Sequence, residues 1–404
     1  MRPHLRFSSG MRAVCAVLHL AAATAVAGTA PLDYAERTFA ADGAEVNVRL
    51  PADLELELLA KLDQPRLLSF APNGELFVGS QSGKVYRLAP PYTRPQVLVE
   101  LDDYPHSVAV RPGEILIAQT DGLYRAPYRP GQARIEHDAV MRLAELPGGG
   151  GHSSRTVAIG PDGRVYVSLG ISGNCSDEYL DESYPFDARR GGVLVLDEKV
   201  SPPRWKAFAS GLRNPVGFAW HPVSGELYAS NNGPDHHGYD LPPEYFSRLL
   251  PGSFHGMPWF QFDGERVRRD DCIGRTPPRP LEQVTLPEAT FPARNAPMGV
   301  AFVPDGALDK RLKHDAVVAL RGSWGTRPGG GALGDPASRR PPKLVAVRFA
   351  DGRAQRVDDL LTGFQSPDGE RWARPVGVAI GPDGALYFTS DSGLEGLYRL
   401  RPRH

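Results

Sequence analysis

Short apolar runs, and not helical stripes, organise this chain. Six times an apolar segment closes on a proline, turns through a glycine one to three residues later and reopens into a second apolar segment. The copies read LSFAPNGELFVG, VAVRPGEILIAQ, VAIGPDGRVYVS, FAWHPVSGELYAS, VAFVPDGALDKR and VAIGPDGALYFT, with prolines at Pro72, Pro112, Pro161, Pro222, Pro304 and Pro382. Proline presets φ for the turn, Asp, Asn or Ser hydrogen-bonds the following backbone, and glycine takes the φ > 0 position that a side chain resists. Runs such as 165–168 (VYVS) and 386–389 (LYFT) are rich in the β-branched and aromatic residues of half-buried strands. A strand–turn–strand unit repeated six times predicts an all-β fold, a six-bladed β-propeller with extended loops on one face. The prolines move further apart along the chain, so blades three to five should carry insertions at the channel ends, where ligand sites are built.

At 404 residues the chain is long for one globular core, but a ring of blades distributes its packing and stays one domain, expected over 46–404 after an extension at 28–45. Residues 1–27 read as a secretory signal: Arg2, Arg6 and Arg12, an apolar run at 13–26, and a small-x-small site at Ala25 and Ala27. The protein is therefore expected to be periplasmic or secreted, with no membrane span once the signal is cleaved. Forty-six Lys and Arg against 47 Asp and Glu leave no bulk charge that would recruit nucleic acid or a membrane face. Cys15 falls in the signal, leaving Cys175 and Cys272 as an expected disulfide in an oxidising compartment.

Four stretches depart from blade sequence. In GGGGHSSRTVAIGPDG a glycine run brings His152 to the mouth of blade three, where an imidazole can accept a proton. In GLRNPVGFAWHP, Arg213 and Asn214 precede a proline that delays the strand, so their side chains should project from the loop end toward the axis. The insertion ASNNGPDHHGYDLPPEYF gathers Asp235, His236, His237, Asp240 and Glu244 around Gly233 and Pro234. Oxygen ligation of a calcium-like ion is favoured there over imidazole ligation, because adjacent histidines rarely converge on one ion. Finally ALRGSW and RWARPVGVAI place Arg321 and Arg374 at strand ends comparable to that of Arg213, and three arginines entering one channel would make a polycarboxylate site.

Together, PRLLSFAPNGELFVGSQSGKVYRL, GHSSRTVAIGPDGRVYVSLG, GLRNPVGFAWHP, NNGPDHHGYDLPPE, APMGVAF, ALRGSW and RPVGVAIGPDGALYFTSD resemble the soluble aldose dehydrogenases and sorbosone-dehydrogenase-like proteins that use pyrroloquinoline quinone. The likeness spans residues 67–400, and GLRNP followed by LPPE is its most specific part. The resemblance implies a six-bladed propeller holding the quinone over a Ca2+ ion, a sugar or aldehyde substrate, and an external electron acceptor. It further implies that His152 is the general base, that Arg213, with Asn214 beside it, contacts the quinone, that Gly233 and Pro234 supply carbonyls to the calcium, that Arg321 pairs with a cofactor carboxylate, and that Arg374 is a further cation lining the cofactor site. Three departures stand out. FPARNAP replaces a segment where relatives often carry a histidine or aromatic residue, so Phe291 or Arg294 should shape the pocket. Arg321 stands where glucose-oxidising members have lysine, and the Gly/Pro-rich insertion at 326–342 reads as a lid or loose loop. The absence of CxxCH argues against a fused haem domain. Two other functions fit the same scaffold: a calcium-dependent lactonase using Asp235 and Asp240, and a non-catalytic ligand- or partner-binding propeller.

Overall fold

The structure, a computed structural model, describes residues 30–328 and 334–403. The expected signal peptide therefore lies outside the described residues. Six sheets, each built on four antiparallel strands, form a ring, and Ser253–Phe254 adds a short parallel fifth strand to the third. Blade one comprises Pro65–Phe70, Leu76–Ser80, Lys84–Leu88 and Gln96–Glu100 from the axis outward, and blade two Ser107–Arg111, Glu114–Gln119, Gly122–Pro127 and Met141–Glu145. Blade three is Arg155–Ile159, Val165–Leu169, Gly192–Asp197 and Arg204–Ser210. Blade four is Phe218–Trp220, Leu227–Asn231, Glu244–Leu249 and Ala289–Phe291. Pro297–Phe302, Ala316–Leu320, Lys343–Ala350 and Arg353–Leu361 make blade five. Blade six takes Ala373–Ile380, Leu386–Gly393 and Gly396–Pro402 from the end of the chain and its outer strand, Leu54–Lys61, from the beginning.

All six proline turns join the first and second strands of a blade, and their glycines Gly74, Gly113, Gly163, Gly225, Gly306 and Gly384 hold positive φ. This is the backbone demand that made the repeat visible in the sequence.

Middle strands are buried on both sides because each blade packs its faces against two neighbours. Apolar clusters accordingly fill all six junctions. Phe77, Ile115 and Ile117 lie between blades one and two, Val167 and Leu116 between two and three, and Tyr166 and Leu227 between three and four. Tyr228 and Phe349 lie between four and five, Val317 and Phe388 between five and six, and Leu76 and Tyr387 between six and one.

Hydroxyls on the first and second strands also reach carbonyls of the next blade: Ser69 to Val108, Ser107 to Arg155, Thr156 to Val216, Ser230 to Met298 and Thr389 to Arg66. Near the axis, glycine permits the approach. A Cβ on Gly217 would stand 2.1 Å from the Met298 carbonyl oxygen.

The extension differs from a passive leader. Tyr34–Ala41 and Ala44–Pro51 form a hairpin that joins the core of blades five and six through Phe39, Val48 and Leu50, with Phe39 against Trp372 and Tyr398. Insertions sit where spacing placed them. In blade three, 170–191 separates the second and third strands; in blade four, 232–243 and 250–288 do the same for later strands; in blade five, 321–342 does so. Cys175 and Cys272 are bonded, Cα–Cα 5.9 Å, tying the blade-three insertion to that of blade four. An aromatic group of Tyr179, Tyr184, Phe254, Trp259 and Phe260 packs beneath them. Of the 326–342 insertion, residues 329–333 lie outside the described residues; its flanks are hydrogen-bonded, with Arg327 N–H donating to Ser338 Oγ and Tyr239 donating to the Ser338 carbonyl.

Candidate functional site

Inner strands all start at one end of the ring, so residues just ahead of them collect at one mouth. His152 sits there, partly exposed, on the glycine-rich loop before Arg155–Ile159. Two buried arginines fix that loop through its carbonyls. Arg155 donates to the oxygens of Pro147, His152 and Ser154; Arg190 donates to those of Gly148, Gly150, His152 and Gly170. The His152 ring is set by the Ile171 carbonyl, which faces Nδ1. A carbonyl only accepts, so Nδ1 carries the proton and Nε2 keeps its lone pair. Burial, with the nearby Arg213 charge adding to it, pushes the imidazole down to about 4, so it is neutral at pH 7.

Arg213 and Asn214 stand beside it. A Cβ built on Gly170 would lie 2.5 Å from Asn214 Oδ1, 2.8 Å from His152 Cβ and 3.1 Å from the Arg213 carbonyl oxygen, so the three residues crowd one glycine. The Arg213 guanidinium donates to Asn174 Oδ1 (2.7 Å) and the Asn232 carbonyl (3.4 Å) and faces Asp235 at 3.8 Å; its Nε is buried without a partner. Burial lowers its pKa.

Next along the ring come Gly233 and Pro234. Among the described residues no donor reaches either carbonyl, so both oxygens are available. Behind them Glu244 is buried and accepts the Gly233 N–H; burial pushes its carboxyl up to about 8. Asp235 also pairs with Arg294 at 3.2 Å, whereas Asp240 is exposed and pairs with Arg340 at 2.6 Å. The two acids on which a lactonase would draw thus serve different arginines. Of the residues expected to shape the pocket, Phe291 is buried in the core between blades four and five and does not line the mouth. Arg294 does reach the insertion at the mouth, donating to the Asp235 and Gly238 carbonyls from a backbone at φ 65°.

Across the mouth, Arg321 Nε donates to both oxygens of Asp391 (2.9 and 3.1 Å), Arg66 pairs with the same carboxylate, and Arg374 donates to the Arg321 and Gly322 carbonyls. Burial together with Arg321 and Arg371 lowers Arg374 to about 9. Trp324, 77% exposed, has the Arg374 guanidinium 5.0 Å from its ring centre and that of Arg321 at 5.7 Å. Tyr104 closes the circuit, near Arg66 (5.9 Å) and edge-on to His106 (5.3 Å).

His152 and Arg213 therefore flank one glycine, while Arg321 and Arg374 belong to the same mouth through blades five and six. Sequence reasoning missed Arg66, Tyr104 and Asp391. The signal for Arg66 was its place directly after Pro65, a charged residue opening an otherwise apolar strand. Asp391 had a comparable signal at the end of ALYFTSD.

The site fits an anionic ligand and a hard cation on its own chemistry. Arg66 and Arg321 share the Asp391 carboxylate, Arg374 stands beside them on backbone carbonyls, and among the described residues Arg66 Nε and Arg213 Nε are buried without partners. Buried donors of this kind call for an acceptor.

Comparisons with known proteins agree with this architecture. The sequence profile of the TrAA12-like family matches residues 50–241. A Borreliella burgdorferi protein of uncharacterized function is 23% identical over 390 residues, 90% of this chain and 93% of its own. The Trichoderma reesei carbohydrate-active enzyme of family AA12 superposes with a TM-score of 0.71 at 18% identity, covering 93% of this chain and 99% of its own. The quinone domain of Coprinopsis cinerea pyranose dehydrogenase gives 0.67 at 19% identity over 88% of this chain and 97% of its own. The soluble aldose sugar dehydrogenase of Escherichia coli gives 0.62 at 15% identity over 87% and 100%. The resemblance read from the motifs and the six-bladed fold are both borne out.

Proposed function

We propose that this chain, whose likeness to quinone-dependent sugar dehydrogenases rests on its motifs and on the TrAA12-like segment, is an exported oxidoreductase acting on an aldose or related aldehyde or alcohol. The observation that carries the proposal is the neutral, oriented imidazole of His152 gathered with Arg213 and Asn214 around Gly170 at a cationic channel mouth. A pyrroloquinoline quinone bound there with Ca2+ supplies hydride acceptance at a carbonyl that the ion polarises. Two structural neighbours, a holo quinone domain and a calcium structure, support this pairing.

This chain's own residues have narrower tasks. Gly233 and Pro234 offer unshared carbonyl oxygens to the calcium, and Glu244 holds their turn through the Gly233 N–H. Arg321, Arg374 and Arg66 present donors to the carboxylates of the cofactor, and Arg213 presents its unpartnered Nε where negative charge develops. His152 Nε2 takes the hydroxyl proton of the substrate as its carbon loses hydride, a contribution of roughly two to four orders of magnitude in rate. The Ile171 carbonyl keeps the imidazole in the accepting tautomer until that proton arrives. The disulfide between Cys175 and Cys272 supports an oxidising compartment, periplasmic or extracellular.

The test is reconstitution. Purified chain is loaded with pyrroloquinoline quinone and Ca2+, and dye reduction is followed with a panel of aldoses. Activity should require both additions, disappear with a chelator and fall by on the order of a hundredfold or more in His152→Ala. Cofactor binding that leaves His152→Ala fully active would remove the histidine from its role; no cofactor binding at all would remove the proposal.

A further inference from the structure

The two adjacent histidines of the blade-four insertion do what neighbours in sequence rarely do. His236 Nε2 lies 3.0 Å and His237 Nε2 2.9 Å from the same atom, Asp270 Oδ2, with ring centres 4.1 Å apart. His236 Nε2 is also 3.3 Å from Asp270 Oδ1. Asp270 is only 3% exposed and accepts one further hydrogen bond, the Cys272 N–H at 3.1 Å; among the described residues no lysine or arginine pairs with it. The nearest basic neighbour in sequence, Arg269, turns instead toward Asp271. A buried carboxylate faced by two imidazoles and no permanent cation lacks the charge partner that burial demands.

We propose that His236, His237 and Asp270 form a second metal site, taking a borderline divalent ion of the Zn2+ class through two imidazole nitrogens and one carboxylate oxygen. Two ligand atoms on one tetrahedral ion, each about 2.0–2.1 Å from it, stand about 3.3 Å apart. The observed imidazole–carboxylate separations of 2.9 to 3.3 Å approach that spacing. Nitrogen donors distinguish this site from the all-oxygen ligation expected at Gly233 and Pro234, which suits a hard cation. The ligand atoms of His236, Asp270 and Cys272 lie within 4.8 Å of one another, but the sulfur is committed to Cys175, so protein donors number three and further positions fall to water.

The consequence is positional. His236 and His237 follow directly on Pro234 and Asp235, while Asp270 belongs to the segment pinned by the disulfide and by its own N–H to the Trp259 carbonyl. An ion bridging them clamps the loop at the mouth onto the disulfide-bonded layer behind it. Binding should therefore stiffen the loop that carries the candidate calcium carbonyls, without contact with substrate.

The experiment uses the tag-free, disulfide-intact chain with Ca2+ in excess and no quinone, so that its outcome is separate from that of the reconstitution assay. Zn2+ is titrated by calorimetry and counted by elemental analysis. One equivalent should bind and raise the melting temperature. Both effects should weaken on the order of 10- to 100-fold in His237→Gln and in Asp270→Asn. His237 is partly exposed, so its variant keeps the test open should Asp270→Asn fail to fold. A crystal soaked in Zn2+ should give an anomalous peak between the two Nε2 atoms and Asp270. Less than one equivalent of zinc, or binding unchanged in His237→Gln, overturns the proposal.

Discussion

At the residue scale the site depends on what a glycine leaves room for. Gly170 directly follows the second strand of blade three, and its carbonyl is held by the fully buried Arg190. No positive φ requires glycine there; proximity does, since the first added carbon would meet Asn214 Oδ1 at 2.5 Å and His152 Cβ at 2.8 Å. Contacts below 3 Å cannot persist, so either the Asn214 amide swings aside or the His152 loop moves. The loop is fixed by two arginines, which makes Asn214 the first to yield, but Cβ of His152 must still shift by some tenths of an ångström. Gly170→Ala should therefore lower kcat/KM of the reconstituted protein on the order of 10- to 100-fold, the scale of a misplaced reacting group. The same variant should lose only about 1–3 kcal/mol of stability, as overpacked sites do. Steady-state kinetics beside urea denaturation separates the two effects; an equal loss of fold and function would mean the glycine is structural alone.

At the element scale, the insertions of blades three and four are joined by one covalent link across 97 residues of sequence. Closing a loop of that length restrains the unfolded chain by about 4–5 kcal/mol in the chain-entropy account. Cys272→Ser should reduce unfolding free energy toward that amount, measured against the oxidised parent in urea. It should also loosen the hold on Arg213, because Asn174, next to Cys175, accepts hydrogen bonds from both the Arg213 guanidinium and the Asp235 N–H. These elements were partly legible beforehand. The six turns announced themselves because proline and glycine solve a local backbone problem whose solution is written in consecutive residues. The disulfide was legible because only two cysteines remained to pair. Arg66 with Asp391 was not, since 325 residues separate them and only closure of the ring by Leu54–Lys61 brings blade one against blade six. The same holds for Asp270, whose partners His236 and His237 lie across an insertion with no repeat to index it. The role of Phe291 was misread for a related reason: an aromatic residue near a mouth and one in an inter-blade core have the same local sequence, and only strand pairing with Glu244 turns it inward.

At the scale of the whole molecule, a ring whose junctions are all buried traps ionisable groups of both kinds, and their opposing titrations set its response to acid. His255 is buried where the Ser253–Phe254 strand joins blade three, and burial alone pushes it down from 6.5 to about 4. In the unfolded chain it binds a proton below 6.5; in the fold it does not until about 4. Its contribution is thus complete above pH 6.5 and is lost as pH falls toward 4, by about 3 kcal/mol in all. His152 acts in the same direction across the same window. Glu244 acts against them: raised to about 8, it binds a proton in the fold where the unfolded carboxyl does not, so its share of stability grows as pH falls from 8 toward 4.5. The acid profile of the intact protein is therefore a difference, and a shallow slope would not reveal its parts. His255→Gln isolates one of them. Urea denaturation at intervals from pH 7.5 to 4 should show the variant losing less stability than the parent between 6.5 and 4, the gap closing by about 3 kcal/mol. Parallel curves for parent and variant would mean that His255 reaches water in the folded ring and titrates there as it does in the open chain.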